Sequence, residues 1–290
     1  MTVINRKSCI TMNLEHQYIS VNNITLHTIL AGPNKGEPIM LLHGFPDAWF
    51  GWSNQIDELV ASGFRVIVPD QRGYNLSSKP IGIGSYVIDN LIKDILELMT
   101  KLGYNAVNLA GHDWGAMIAW NIALHYPERV RKLIIMNVPH PKVMGKFLKS
   151  YPPQRRKSWY IFFFQIPLFP ELFVKLFNWR FLASQMSKNI SINMIQQYKK
   201  AWSQKKAISS MINWYRAGRK RSNLRWTTPR VNIPTLLIWG ENDKFLDVKM
   251  AKSSIDFCDN GKLEIIENSS HWVHQDQPER VNSLILTFLR

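Results

Sequence analysis

The chain has 290 residues, 46% of them hydrophobic, enough to bury a large core and consistent with one domain carrying an insertion. Its two cysteines, Cys9 and Cys258, make neither a disulfide framework nor a metal-ligand spacing, so a disulfide-stapled secreted scaffold is excluded and a reducing compartment is expected. The net charge of +15 is uneven: Lys142 to Pro229 holds 18 basic residues against one acid, Glu171, while the rest of the chain balances at −2.

The first residues, Met1 to Glu15, mix Asn, Arg, Lys, Ser and Thr without an apolar run, so no leader and no spanning segment is read there. A cytoplasmic protein, or one peripheral on intracellular membranes, is the expectation. Gln17–Val21 and Ile24–Leu30 are β-rich runs separated by Asn22-Asn23, a hairpin signal. Continuous apolar runs at Pro38–Leu42 and Phe64–Val68 read as buried strands. Apolar residues at Val87, Leu91, Ile95 and Leu98 predict a helix over Ser85–Leu102, closed by Gly103.

A strand at Ala106–Ala110, a helix at Ala116–Leu124 and a strand at Lys132–Met136 continue the alternation. It then stops. Residues 142–229 show no clear strand and are aromatic, basic and broken by Pro152-Pro153, Pro167 and Pro170. Alternation resumes with a strand at Pro234–Trp239, a helix near Asp247–Phe257, a strand at Lys262–Ile266 and a final helix at Pro278–Leu289. Strands alternating with helices imply a mostly parallel sheet covered on both faces. The expected organisation is a core made of residues 1–141 and 230–290, with residues 142–229 inserted as a helical lid.

Strand ends are where open parallel sheets carry function. Gly111-His112-Asp113-Trp114-Gly115 joins a strand to a helix, the context of a nucleophile elbow of the G-x-S-x-G kind, with Asp113 in the serine's place. A carboxylate is already ionised at pH 7 and can attack carbon without a base to activate it. His43-Gly44-Phe45-Pro46 follows the third strand, Asp243 the seventh and His271 the eighth. Nucleophile, acid and histidine in that order match the α/β-hydrolase arrangement. In that arrangement His271 activates water, Asp243 orients its imidazole, and backbone N–H groups of Phe45 and Trp114 form the oxyanion hole.

On these motifs the chain resembles an epoxide hydrolase of the α/β-hydrolase superfamily, from about Glu15 onward. The α/β-hydrolase fold then implies an eight-stranded, mostly parallel sheet. Two lid motifs carry the resemblance further: Tyr160-Ile161-Phe162-Phe163-Phe164-Gln165-Ile166-Pro167 and Asn213-Trp214-Tyr215-Arg216. The resemblance implies that Tyr160 and Tyr215 donate hydrogen bonds to the epoxide oxygen. The substrate-contacting set expected around them is His43, Pro46, His112, Phe164, Trp214 and Trp272, with His43 also read as a brace for its turn. Aromatic walls at Phe45, Trp114, Phe162 to Phe164 and Trp214 point to an apolar epoxide, including lipid epoxides. No metal and no organic cofactor is implied.

Together with Asn137-Val138-Pro139-His140-Pro141, the first lid motif looks most like the animal epoxide hydrolase 3/4-like group, whose members generally carry an N-terminal anchor not read here. Asn75 departs from that family's preferred Gly, and His274 stands where Gln is common and is expected on the surface. Two alternatives remain. A haloalkane or haloacid dehalogenase shares the core motifs, although haloalkane dehalogenases usually place Asn at Phe45 and fluoroacetate dehalogenases Arg at Trp114. A non-catalytic membrane-binding protein of the same fold is the other. Seven of the fourteen phenylalanines lie between Ile161 and Leu182, among basic residues, which suits an anionic membrane surface. The bases expected to face it are Arg155, Arg156, Lys157, Lys199, Lys200, Lys205, Lys206, Arg219, Lys220 and Arg221. No nucleic-acid motif accompanies the charge, so nucleic acid is not an expected partner.

Overall fold

A computed structural model describes residues 14–220, 222–224 and 228–290; Cys9, Arg221 and the first thirteen residues lie outside the described residues. The core opens with β1 (Glu15–Val21), β2 (Ile24–Ala31) and β3 (Pro38–Leu42), then α1 (Ser53–Ala61) and β4 (Arg65–Pro69). It continues through α2 (Ile88–Lys101), β5 (Val107–His112), α3 (Trp114–His125) and β6 (Val130–Met136). Between β6 and the next strand come only helices among the described residues. These are α4 (Pro141–Ser150), α5 (Pro152–Lys157), α6 (Trp159–Phe163), α7 (Phe169–Lys175), α8 (Arg180–Gln185), α9 (Ile192–Ser203) and α10 (Ala207–Ala217). The core closes with β7 (Thr235–Gly240), α11 (Lys249–Ile255), β8 (Gly261–Ile266), α12 (Val273–Asp276) and α13 (Pro278–Leu289).

The sheet runs β1-β2-β4-β3-β5-β6-β7-β8. Only β2 runs against its neighbours β1 and β4; β3 pairs in parallel with β4 and β5, and the order continues in parallel to β8. The β1–β2 hairpin turns at Asn22 and Asn23, with φ of 40° and 60°, the left-handed pair that a two-residue turn needs and Asn tolerates.

Alternation along the buried strands feeds two cores. On β3, Met40 and Leu42 join the cluster beneath α2 and α3, while Ile39 and Leu41 join the one beneath α1 and α13. Each such fully buried aliphatic side chain contributes about 1.5–3 kcal/mol. Helix α1 was not expected from the sequence, and its packing explains why. Gln55 sits in its buried face and donates to His274 O at 3.1 Å and Asn282 Oδ1 at 3.0 Å, so a buried polar residue interrupts the apolar periodicity.

The loop after β4 anchors the helical insertion to the core. Arg72 forms a fork-like pair with Asp94 (both bonds 2.6 Å), and its carbonyl accepts the Trp214 indole N–H from α10 at 3.0 Å. Asn75 takes φ of 36° there and donates to Asp70 Oδ2 at 2.8 Å, so Asn in place of Gly keeps the turn. Among the described residues no helix is long and apolar enough to cross a membrane.

Two of the core's arginine pairs, Arg72–Asp94 and Arg65–Glu15, predict unequal effects. Asp94→Ala strands a buried Arg72 charge and should cost about 3–5 kcal/mol. Glu15→Ala, which removes the half-exposed partner of Arg65, should cost about 1 kcal/mol or less. Denaturant midpoints of the two variants check the ranking.

Candidate active site

Three backbone features at the carboxyl edge of the sheet build the site. Asp113 sits between β5 and α3 at φ 50° and ψ −124°, a strained conformation for a residue with a Cβ. Glycines make the turn fit: a Cβ on Gly111 would press on the Gly115 backbone, and one on Gly115 would press on the Leu42 and His43 carbonyls. The Asp113 carboxylate does not cap α3. Its Oδ1 accepts from the Phe45 backbone N–H at 2.7 Å, and its Oδ2 lies 3.4 Å from His271 Nε2.

His271 follows β8 in a loop pinned by Asp276, whose Oδ2 accepts from the Ser270 backbone N–H at 2.7 Å and its hydroxyl at 2.5 Å. His271 Nδ1 donates to Asp243 Oδ2 at 2.8 Å. The Asp243 carboxylate is held on every side: Oδ1 accepts from the N–H groups of Phe245 and Leu246 at 2.7 and 2.9 Å, and Oδ2 also accepts from Asn137 Nδ2 at 2.8 Å. Asn137 itself stands at φ 53° and accepts from Gly240 N–H at 3.1 Å, tying β6 to β7 under the acid.

Burial alone would push the His271 pKa down, but the Asp243 and Asp113 carboxylates outweigh it and raise it to about 10. Burial works against the Asp113 charge too, yet His271 and the Phe45 N–H hold its carboxyl below the usual range. The resting pair is therefore a carboxylate facing an imidazolium. Alkylation of Asp113 would remove one of the two negative charges and let burial return His271 to a neutral base.

Tyr160 of α6 and Tyr215 of α10 face this carboxylate from the insertion. Their rings are 5.8 Å apart, and Tyr215 packs edge-on against Phe45 at 5.2 Å and Trp114 at 5.2 Å. Burial, reinforced by the Asp113 charge, raises both phenols, so both keep their protons and can donate. Two cavities meet here, and Asp113, Tyr160 and Tyr215 line both. The smaller is walled by Pro46, Phe164, Phe181, Leu182, Phe245 and Trp272, and Trp114, Met117, Met144 and Phe162 line the larger.

Pro46, Phe164 and Trp272, expected to contact substrate, line the smaller cavity. Other expected contacts fall behind the walls. His43 is fully buried; its Nδ1 donates to Gly44 O at 3.0 Å and its Nε2 accepts from Gln71 N–H at 3.1 Å, so it braces the loop and has no atom left for substrate. His112 is also fully buried, its Nε2–H donating to the His271 carbonyl at 2.8 Å. Trp214 spends its indole N–H on Arg72 and backs Trp114 at 5.7 Å. Phe163 packs among Trp159, Phe169 and Phe173 rather than lining either cavity.

His274 corrects the sequence reading most plainly. Expected on the surface, it is fully buried, with its ring 4.6 Å from Trp52 and 4.5 Å from His112, because α12 turns it inward beneath the elbow. Together with Asp47 and His112 it forms a buried group whose ligand-type atoms lie within 4.8 Å of one another, the only such His/Cys/Asp/Glu cluster among the described residues. Burial lowers His112 to about 3 and His274 well below its ordinary value, and raises Asp47 to about 7. Phe245, Phe181, Leu182 and Gln185 complete the smaller cavity without any motif to mark them.

A profile of the α/β-hydrolase fold family matches residues 37–278. A Bacillus subtilis relative, "AB hydrolase superfamily protein YfhM", is 44% identical over 94% of this chain and 97% of its own length. Human "Epoxide hydrolase 4" is 40% identical over 95% of this chain and 79% of its own. Among solved structures, a Bacillus megaterium epoxide hydrolase in complex with an inhibitor superposes with a TM-score of 0.87 at 33% identity, over 94% of this chain and 99% of that one. The chain belongs to the α/β-hydrolase fold family, in its epoxide hydrolase branch.

A folded-state His271 pKa above the ordinary 6.5 has a sign that can be read in stability. Protonated His271 stabilises the fold fully below pH 6.5, and that contribution fades as pH rises toward about 10. His271→Gln should flatten the stability profile across this window in denaturant titrations; an unchanged slope would mean that the imidazole is neutral in the folded protein.

Proposed function

We propose that this protein hydrolyses an apolar epoxide, lipid epoxides included, to a vicinal diol through an ester on Asp113. The observation that carries the reading is the placement of two protonated tyrosines across a shared cavity from an ionised Asp113. Asp113 Oδ2 attacks one epoxide carbon, that carbon's bond to oxygen breaks, and the leaving oxygen takes hydrogen bonds and then a proton from Tyr160 and Tyr215. Phenols matter here because an alkoxide leaves poorly unless its charge is met as it develops.

The second half-reaction needs a neutral imidazole: with the Asp113 charge gone, His271 gives up its proton, which restores the tyrosinate left by ring opening to a phenol. His271 Nε2 takes a proton from water while the hydroxide attacks Asp113 Cγ. Oδ1, already on the Phe45 N–H, becomes the oxyanion, with the Trp114 N–H as the proposed second donor. Collapse expels the alkoxide oxygen Oδ2, which takes the proton from His271 to complete the diol, and the new Asp113 carboxyl passes its remaining proton back to the imidazole, restoring the resting pair. Asp243 holds the imidazole in place and offsets its charge. The sum is epoxide plus water to diol. Apolar walls with few polar groups suit hydrocarbon substituents on the epoxide.

The test is a set of variants on an aryl epoxide such as stilbene oxide. Asp113→Asn should abolish diol formation, and His271→Gln should accumulate protein heavier by the mass of the epoxide. Tyr160→Phe with Tyr215→Phe should slow ring opening by roughly 10²–10⁴-fold. The double variant also separates this reading from a dehalogenase, since halide leaves without protonation. Halide release from a haloalkane that survives the double variant, with no epoxide turnover by the wild type, would overturn the proposal.

A further inference from the structure

We infer that the helical insertion docks on an anionic lipid bilayer through an apolar ridge on α6 and α7, with the walls of both cavities reaching that surface. The ridge is conspicuous for its exposure. Phe162, Leu168, Phe169, Leu172, Leu176 and Phe177 are each between 54% and 74% exposed, all within sixteen residues of chain. Isolated apolar residues on a surface are ordinary, whereas a contiguous group marks a contact. The six crowd one short stretch of chain, and Phe169 packs on an aromatic layer in which Phe163 also meets Trp159 and Phe173 with ring centroids 5.5–5.9 Å apart.

Charge identifies the partner. The insertion's single acid, Glu171, is turned inward and bound by Arg216, with Arg216 Nη2 donating to its Oε2 at 3.0 Å. No acidic side chain of the insertion therefore faces solvent, while Lys175, Arg180, Arg155 and Arg156 are exposed in and before the ridge segment. Apolar side chains among unopposed cations suit an interfacial lipid contact, in which rings enter the acyl boundary and lysines and arginines meet anionic headgroups. Pairing with a second copy would set this basic rim against itself across a twofold axis. Helices of five and seven residues cannot cross the bilayer, so the attachment is peripheral.

The ridge also connects to the site. Phe162, Arg219 and Lys220 line the larger cavity, and Trp159, 53% exposed, lines the smaller. Tyr160, between Trp159 and Phe162 on α6, lines both beside Asp113. An apolar substrate dissolved in the membrane would reach the carboxylate without crossing water.

The experiment is co-sedimentation with vesicles of phosphatidylcholine, alone or mixed with phosphatidylserine, at low and high salt. Leu168→Asn with Phe177→Asn is the informative variant, because both positions hold positive φ (61° and 59°), where Asn is at ease. Neither residue lines a cavity, so turnover of a water-soluble epoxide should be unchanged. The wild type should bind the mixed vesicles at low salt, about tenfold less in high salt or on phosphatidylcholine alone, and the Asn pair should lose about tenfold. Asp113→Asn should bind like the wild type, which separates attachment from catalysis. Wild type left in the supernatant with mixed vesicles at low salt would overturn the inference, as would an Asn pair that binds equally well. A dimer in sedimentation velocity that the Asn pair abolishes would assign the ridge to self-association instead.

Discussion

One imidazole held between two carboxylates is the constraint on which the site depends. His271 lies 2.8 Å from Asp243 and 3.4 Å from Asp113; His271 and Asp243 are buried, and only the Asp113 side chain, 15% exposed, is partly open. Two negative charges in a dry cavity repel each other and pay for desolvation unless a cation lies between them, and the imidazolium is that cation. The arrangement is stable at rest and changes as soon as Asp113 loses its charge. In the proposed reaction, this arrangement keeps the base masked until Asp113 has reacted.

Each part of the scaffold serves to hold that geometry. The strained φ at Asp113 points its carboxylate away from α3, and the small residues around it let β3 and β5 approach closely. Asn137, in the left-handed region on the neighbouring strand end, and the Phe245 and Leu246 N–H groups leave Asp243 no freedom to turn. Above the sheet, the Trp214 bond to Arg72, the Trp202 indole bond to the Pro46 carbonyl at 2.6 Å and the Tyr198 bond to Asp47 at 2.6 Å fix the insertion to the loops of the core. Tyr215, between Trp214 and Arg216, inherits its position from those bonds.

Strand ends were the most legible part of the sequence. Apolar or β-rich runs mark all eight strands, and Asp113, Asp243 and His271 are legible from their places just beyond strand ends. Short-range chemistry also showed through, as in the Asn22-Asn23 turn and the Gly103 cap at φ 81°. What did not show was the inward turn of polar side chains. The motifs of His43, His112 and Trp214 point to the substrate, but both His43 nitrogens, His112 Nε2 and the Trp214 indole N–H are spent on backbone groups behind the wall. His274 was taken for a surface residue because nothing local records that α12 folds it against Trp52. Helix α1 escaped notice because Gln55 breaks its apolar face. Phe181, Leu182 and Phe245 reach the cavity from distant stretches of chain, and only the tertiary fold brings them together.

The central claim is that the Asp113 carboxylate, not water, makes the new bond to carbon. A single turnover in ¹⁸O-labelled water, with enzyme in excess over epoxide, tests it directly. The first diol formed should carry no label, and the peptide containing Asp113 should gain one ¹⁸O atom. Label in that first diol, with none in the Asp113 peptide, would show that water attacks the epoxide itself and would contradict the account.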